Sequence, residues 1–347
     1  MVHGRRGARR GIEALPPTVY RFLSLRGGAG AGRGLAGALR DSPCFRSDEF
    51  EEIMGRKRAL SNPVESIRWA DGTPALEELL AQPGTLSVRG MNQGFEAEVT
   101  RIDTERDSFV LKRWNKDSNP DIGFQYRLLT ALSQRGVAVP ETLGWGIDAS
   151  GHQALLTRYG GEPVTKANVG TMTALARILS AIHRIPVEAF GSVELPKYEM
   201  AAYFFPGIEA HPDLEQTLRQ LVARIPETSD RLIHGDYHLQ NIVERNGEYA
   251  VIDWTNGQAG DYRYDFAWAF VLGRIYVSDK LASAFRVAYL KENPIPPEEL
   301  RLFEGIACLR WMLLHRRGGV PQGPRTLKKA REIVAALEGI VPKGLLD

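Results

Sequence analysis

A regular pattern of hydrophobic and polar side chains begins at about Glu77. Residues 95–102 alternate as a strand does, a polar turn follows at 103–107, and Phe109-Val110-Leu111 resumes as a second strand. The pattern therefore predicts a β-hairpin. Apolar side chains then recur at helical spacing, at Phe124, Leu128, Leu129 and Leu132.

Gly136 closes that helical run at the position where a helix commonly ends. Two further strands are predicted at 141–145 and 153–157. A break at 158–163, containing Gly160-Gly161, follows them. The first part of the chain is thus predicted to be rich in strands.

Helical patterns dominate the second part, beginning with Thr171 to His183. Its clearest strand signal is a hairpin in which Asn246-Gly247 joins residues 242–244 to residues 249–252, since Asn-Gly is a preferred two-residue turn. Helical periodicity resumes at Phe266 and continues to the C-terminus. We therefore predict an α+β protein with two lobes. The predicted boundaries are a linker at 54–76, a small β-rich N-lobe at 77–157, a hinge at 158–163 and a larger, mainly helical C-lobe at 164–347.

Residues 1–53 differ in composition from the rest of the chain. They combine many arginines with a Gly/Ala tract from Gly27 to Ala38 and contain few acids. An Arg-rich transit peptide has a similar composition, but the glycines oppose the amphipathic helix that such a signal needs. We expect a disordered or non-native extension, with Met54 as a hypothetical true start.

The overall composition gives no support for several classes of partner. The 347 residues carry a formal net charge of +2 and are 43% hydrophobic, which is typical of a globular protein and gives no basis for nucleic-acid or membrane binding. The two cysteines, Cys44 and Cys308, are too few for a disulfide framework, so a cytoplasmic location is expected. The sequence leaves the oligomeric state open.

The most informative stretch is His234-Gly235-Asp236-Tyr237-His238-Leu239-Gln240-Asn241, which the Asn-Gly hairpin connects to Ile252-Asp253-Trp254. An aspartate in a loop can accept a proton from an attacking hydroxyl, as Asp236 could. Asn241 and Asp253 carry oxygen ligands suited to hard divalent cations. Phosphoryl transfer needs this combination of groups.

These residues resemble the HGDxxxxN and IDW patterns of the aminoglycoside phosphotransferase family, whose members are related to choline kinases and more distantly to protein kinases. The resemblance covers about Ser87 to Gly319 and implies a bilobal protein-kinase-like fold that binds ATP and Mg²⁺ between its lobes. It implies that Asp236 is the catalytic base, that Asn241 and Asp253 bind the metal and nucleotide, and that His234 supports the loop. The expected acceptor is a hydroxyl group of a small molecule.

Lys112, at the end of the second strand, resembles the nucleotide-binding lysine of the family. The loop before that hairpin contains Gly90 and Gly94, which would let backbone N–H groups approach phosphate. The family usually pairs this lysine with a glutamate, but Gln125 stands at the matching position. We hypothesise that Asp121, one helical turn earlier, supplies the missing charge.

Several alternatives remain open at this point. Asp236 and Asn241 could simply satisfy a turn, and His234 with His238 could form a zinc site, although Gly235 argues against a helix there. The protein could also be a catalytically silent nucleotide-binding scaffold, since Gln125 replaces the usual glutamate, or it could be a protein kinase. The absence of an APE-like triplet after Asp253 argues against the last reading.

The acceptor molecule is also open, and an aminoglycoside, an amino alcohol or a sugar would each fit these motifs. A polycationic aminoglycoside would need an acidic pocket. Acidic residues that could line one occur in the helical region, at Glu209, Asp213, Glu215, Glu298, Glu299 and Glu304. Asp265, which follows the metal-site motif, is expected to brace the catalytic loop as a structural residue.

Overall fold

The structure is a computed structural model that describes residues 63–81, 86–91, 97–115, 120–226 and 228–346. Its first part is built around one six-stranded sheet, in the order β1-β5-β6-β4-β3-β2, in which all neighbours are antiparallel. The strands are β1 Ile67–Gly72, β2 Ser87–Gly90, β3 Ala97–Asp103, β4 Ser108–Trp114, β5 Thr142–Asp148 and β6 Gln153–Arg158.

Two helices, α1 Pro74–Ala81 and α2 Ile122–Gln134, accompany this sheet. The alternation along β4 buries Phe109 and Leu111 in a core that also contains Leu76 and Leu79 of α1. Because successive side chains of a strand point to opposite faces, Lys112 lies on the face away from that core. The hairpin of β3 and β4 thereby directs one face to the interior of the small lobe and the other to the space between the lobes.

The second part is mainly helical. Its helices are α3 Val169–His183, α4 Met200–Phe204, α5 Pro212–Val222, α6 Tyr262–Tyr276, α7 Asp279–Glu292, α8 Pro297–Arg316 and α9 Pro324–Ala336. Two small sheets accompany them, β10-β9-β7 and β11-β8, formed by β7 Glu162–Pro163, β8 Arg231–Ile233, β9 Ile242–Arg245, β10 Glu248–Val251 and β11 Gln258–Gly260. Helix α8 is buried from Leu302 to Leu314 and packs on α6, so these two helices form the centre of the large lobe.

The predicted Asn-Gly hairpin is confirmed. Strands β9 and β10 pair with Arg245 opposite Glu248, and both turn residues have positive φ, 55° at Asn246 and 87° at Gly247. Two positive φ angles are the requirement of the turn that Asn-Gly favours. The hairpin carries Asn241 and Asp253 at its two ends, so the turn fixes how far apart they lie.

Part of the linker prediction for 54–76 is wrong. Residues 67–72 form β1, which pairs with β5, and α1 begins at Pro74. Helix α6 also begins before Phe266, at Tyr262, because Asp261 caps it by accepting a hydrogen bond from the Arg263 N–H. Both differences have one cause: these stretches are polar, and their hydrophobic pattern is too weak to reveal them.

The segment between the lobes, expected as a hinge at 158–163, lies close against the large lobe. β7 pairs with β9, and Gly161 adopts a φ of +120° beside it. A Cβ built on Gly161 would lie 2.0 Å from the carbonyl oxygen of Glu244. Only glycine fits this approach, so the lobes are joined by a tightly placed backbone.

Among the residues that the structure describes, no helix is long and apolar enough to cross a lipid bilayer.

Gly161→Ala should lower the free energy of unfolding by about 3 kcal/mol or more, since the new Cβ meets both an unfavourable φ and a backbone atom. Gly151→Ala is the matched control, because Gly151 also has a positive φ, +86°, but has no atom near its Cβ position. The control should cost only about 1–2 kcal/mol. Urea denaturation of both variants measures the difference, and equal losses would contradict the close approach at Gly161.

Candidate active site

A cleft of about 1260 Å³ lies between the two lobes. Five of the six residues predicted to form the site line it, from both lobes: Gly90, Lys112, Asp236, Asn241 and Asp253. The sixth, Gly94, lies outside the described residues. A cleft of this size exceeds what one drug-sized ligand needs, so a nucleotide and an acceptor can both be accommodated.

The loop that carries Asp236 is held in place by Asp265, in the first turn of α6. The fully buried Asp265 carboxylate accepts hydrogen bonds from the backbone N–H groups of His234, at 2.7 Å, and Gly235, at 2.9 Å. The Nε2 atom of His183 lies 3.0 Å from the same carboxylate. Burial favours a higher pKa of Asp265, but its hydrogen bond to His183 and the charges nearby outweigh burial and lower it. Asp265 is therefore an ionised brace of the loop.

His234 supports the same loop from within. Its Nδ1 atom accepts a hydrogen bond from the Asp236 N–H at 3.2 Å, and its Nε2 atom lies 3.0 Å from the Ile252 carbonyl oxygen. The first contact leaves the ring proton on Nε2, where it is donated to Ile252. Burial lowers the pKa of His234, which keeps the ring neutral. His234 thus joins the Asp236 loop to the strand that leads to Asp253.

Two side-chain contacts orient the Asp236 carboxylate in the cleft. The indole N–H of Trp268 donates to Oδ1 at 2.9 Å, and His238 Nε2 lies 3.3 Å from Oδ2. Burial acts to raise the pKa of Asp236, but His238, Arg310 and Trp268 together lower it far below the usual range. The carboxylate is ionised and oriented, as a proton acceptor must be.

Arg310 is a fully buried cation next to this loop. It donates a hydrogen bond from Nη1 to the Gly235 carbonyl oxygen at 2.9 Å, and its guanidinium lies 4.1 Å from the ring centre of Trp268 and 4.6 Å from that of Phe204. Its Nε and Nη2 atoms are buried without a hydrogen-bond partner in the structure. Stacking on aromatic faces and attraction to the Asp236 charge offset part of its burial cost.

Asn241 and Asp253 approach the cleft from the two ends of the β9–β10 hairpin. The Asn241 Nδ2 atom donates to the Asp236 carbonyl oxygen at 3.0 Å, which fixes the amide against the loop. Asp253 has a left-handed backbone, φ 66° and ψ 62°, which is unusual for a residue other than glycine. Such strained conformations are frequent in active sites, where the surrounding structure holds them.

Lys112 reaches the same part of the cleft from the small lobe. Burial acts to raise the pKa of Asp253, but the Lys112 charge is the strongest of the effects that lower it. Gln125 is buried and lines the cleft, in the place where the family usually has a glutamate. Asp121 caps α2 by accepting a hydrogen bond from the Phe124 N–H at 2.7 Å. Asp121 is exposed and does not line the cleft, so the hypothesis that it replaces the missing glutamate finds no support in the structure.

The zinc-site alternative finds no support in the geometry. Both ring nitrogens of His234 are used inside the protein, and His238 contacts Asp236 and Gln240. Within the described ranges, no group of three or more His, Cys, Asp or Glu residues could hold a metal ion.

Sequence reasoning missed three side chains that shape the site: His183, Trp268 and Arg310. They lie on α3, α6 and α8, and each contacts the loop or its brace. Trp268 falls within the helical periodicity that resumes at Phe266, and nothing local distinguishes it, His183 or Arg310 as part of the site. Only their positions in space reveal their role.

Comparison with known proteins gives a family. Residues 87–303, more than half of the chain, match the model of the phosphotransferase enzyme family APH. A search of the curated proteins finds no significant match.

Solved structures share the fold. A thermostable mutant of aminoglycoside phosphotransferase APH(4)-Ia, in a ternary complex with AMP-PNP and hygromycin B, has a TM-score of 0.56 at 18% identity and covers 78% of this chain and 99% of that chain. Choline kinase LicA from Streptococcus pneumoniae has a TM-score of 0.50 at 16% identity, and the match covers 76% of this chain and 97% of that chain. An ethanolamine kinase from Plasmodium vivax has a TM-score of 0.51 at 12% identity, and the match covers 76% of this chain and 84% of that chain. These likenesses concern the fold, which is the predicted bilobal protein-kinase-like one. The family match shows that the chain belongs to the phosphotransferase enzyme family and is a small-molecule kinase.

Proposed function

We propose that this protein uses ATP and Mg²⁺ to phosphorylate a hydroxyl group of a small molecule, in the cytoplasm, where both are abundant. The observation that carries the proposal is the meeting of Asp236, Asn241, Asp253 and Lys112 in one cleft. A base, two oxygen ligands and a cation are what phosphoryl transfer requires of a protein. The nucleotides bound by structural neighbours, AMP-PNP and ADP, agree with ATP as the donor.

Asp236 is the proposed base. As the acceptor oxygen bonds to the γ-phosphorus and the bond from that phosphorus to the ADP oxygen breaks, the hydroxyl proton passes to the Asp236 carboxylate. Trp268 and His238 hold this carboxylate in one orientation, so little reorganisation is needed when the proton arrives. The Asp265 brace sets where the carboxylate stands.

The residues present fit a magnesium ion. Asn241 offers an amide oxygen and Asp253 an ionised carboxylate, and Mg²⁺ is usually bound by one or two carboxylates together with substrate phosphates. The Thr255 hydroxyl donates to Asp253 Oδ1 at 3.0 Å and helps to orient the carboxylate. When bound, the ion would neutralise charge on the phosphates.

Lys112 and the connecting segment would hold the nucleotide. Lys112 lies on the cleft face of β4, where its charge lowers the pKa of Asp253, and it would neutralise phosphate charge. Apolar side chains from both lobes, among them Val110, Leu155 and Val243, line the cleft beside Tyr159 to Gly161. This combination suits a flat base with polar edges, since the backbone of the segment offers hydrogen-bonding groups.

The silent-scaffold alternative rests on Gln125 alone. Gln125 changes how Lys112 is held, whereas the groups that act on the transferred phosphoryl and its acceptor are Asp236, Asn241 and Asp253. The ionised, oriented Asp236 carboxylate has no evident use in a protein that only binds a nucleotide. We therefore favour the enzyme.

Asp236→Asn should lower kcat by about 10²–10⁴-fold with little change in ATP affinity, because an amide cannot accept the proton. The matched control is Asp230→Asn, whose side chain is 61% exposed and lies just before β8. Magnesium-dependent ADP release with a panel of acceptors measures turnover, and calorimetry measures ATP binding. Full activity in Asp236→Asn would exclude Asp236 as the base, and ATP binding by the wild type without turnover on any acceptor would favour the scaffold.

Arg310→Met should make the reaction sensitive to acid. Because the pKa of Asp236 is lowered in the native protein, its base form persists as the pH falls from 8 to 5. Without the Arg310 cation, burial has more weight and the pKa of Asp236 rises, so the pH at which kcat/KM begins to fall should lie about one to three units higher than in the wild type.

Arg310→Lys keeps a cation and should retain most of the native pH profile. Profiles of kcat/KM for the three proteins test this, with thermal unfolding to confirm that each is folded. A loss of activity that is equal at all pH values would show that Arg310 acts through packing alone.

A further inference from the structure

The acceptor half of the cleft can be located from Asp236. Trp268 of α6 donates a hydrogen bond to Asp236, and the cleft-lining residues Ala269, Leu272, Gly273 and Tyr276 follow on the same helix. Since a helix rises 1.5 Å per residue, Tyr276 lies about 12 Å along the axis from Trp268. The acceptor must meet Asp236, so the outer part of α6 forms a wall of its pocket.

This wall is apolar. Leu272, Gly273, Tyr276 and Val277 line it at the end of α6, and Ala269 of the same helix and Phe285 of α7 also line the cleft. The Tyr276 hydroxyl accepts a hydrogen bond from the Trp311 indole at 2.9 Å and donates to the Pro321 carbonyl oxygen, so it is already used within the protein. A ligand on this wall meets mostly carbon.

The six acidic residues that could have lined an acidic pocket lie outside the cleft. None of the six lines the cleft. Asp213 pairs with Arg316, Glu215 with Arg219, Glu299 with Arg263, and Glu304 lies 3.6 Å from Arg286. Glu209 and Glu298 are exposed to solvent.

Among the described residues that line the cleft, the carboxylates are Glu162, Asp236 and Asp253. Glu162 belongs to the segment between the lobes, and the other two serve the transfer reaction. The cations Arg89, Arg101, Lys112 and Arg158 all come from the small lobe or its end. Arg274, the one charged residue in the outer half of α6, pairs with Asp279. The α6 wall therefore adds no charge of either sign.

We propose that the acceptor is a neutral, largely apolar alcohol and not a polycationic aminoglycoside. This inference rests on the proposed kinase function and specifies its substrate class. An ammonium group placed against the α6 wall would lose hydration without gaining a carboxylate partner, and the aromatic ring of Tyr276 would offset only part of that loss. An apolar group, by contrast, gains by leaving water. The hydroxyl to be phosphorylated supplies the polar contact, at Asp236.

A pair of acceptors of equal shape isolates the effect of charge. Choline carries a quaternary ammonium, and 3,3-dimethylbutan-1-ol is its neutral carbon analogue. With the full-length protein, ATP and Mg²⁺, the neutral alcohol should have a kcat/KM about tenfold or more above that of choline. A wider panel adds cyclohexylmethanol and 2-phenylethanol to the neutral arm, and hygromycin B and ethanolamine to the cationic arm.

A charge introduced into the wall should reverse the preference in part. Val277→Glu should shift the ratio of the two kcat/KM values toward choline by about five- to tenfold, since an opposite charge near a partly exposed site is worth that much. Val277→Gln is the matched control, because glutamine has the size of glutamate without its charge. It should leave the ratio of the two kcat/KM values as in the wild type.

The outcomes separate the two proposals. A cationic acceptor with a higher kcat/KM than every neutral alcohol would overturn the proposed acceptor class. Magnesium-dependent ATP hydrolysis that no neutral alcohol accelerates would overturn it as well. Both results leave the kinase function intact. Absence of any magnesium-dependent ATP turnover would count against the kinase itself. An equal ratio in Val277→Glu and Val277→Gln would show that the acceptor does not bind against this wall.

Discussion

The structure of the site depends on one buried carboxylate. Asp265 accepts hydrogen bonds from two consecutive backbone N–H groups of the Asp236 loop and also contacts His183 on α3. Burying a charge is costly unless it is fully paired, and these three contacts supply the pairing. Since the N–H groups belong to the two residues before Asp236, the carboxylate in α6 determines where the proposed base stands. Loss of this contact would leave both the charge and the loop without partners.

Two cations also act on the acids of the site. Arg310 lies beside the Asp236 loop, and Lys112 lowers the pKa of Asp253, so cations of the large and small lobes each accompany an acid of the site. Lys112 and Asp253 thus bring opposite charges from the two lobes into one cleft. A nucleotide with its metal ion would add further charges of both signs to this arrangement.

The sequence predicts best those parts of the protein whose conformation is determined by residues close together in the chain. The Asn246-Gly247 turn follows from the backbone preferences of two residues, and the spacing of Asp236, Asn241 and Asp253 lies within one short stretch. Contacts such as that between His183 and Asp265 join residues 82 positions apart, and single-sequence patterns do not contain them. β1 was missed for a related reason: most of its side chains are exposed, so its strand character comes from pairing with β5.

Helix α6 carries two tasks on successive turns. Its first turns hold the Asp236 loop through Asp265 and Trp268, while its outer turns face the cleft through Leu272 and Tyr276. A rigid helix keeps the spacing between these turns constant, yet a side chain exchanged on an outer turn does not touch the brace. New acceptor preferences could therefore arise in evolution by a few substitutions at one end of α6, with the chemistry inherited unchanged at the other.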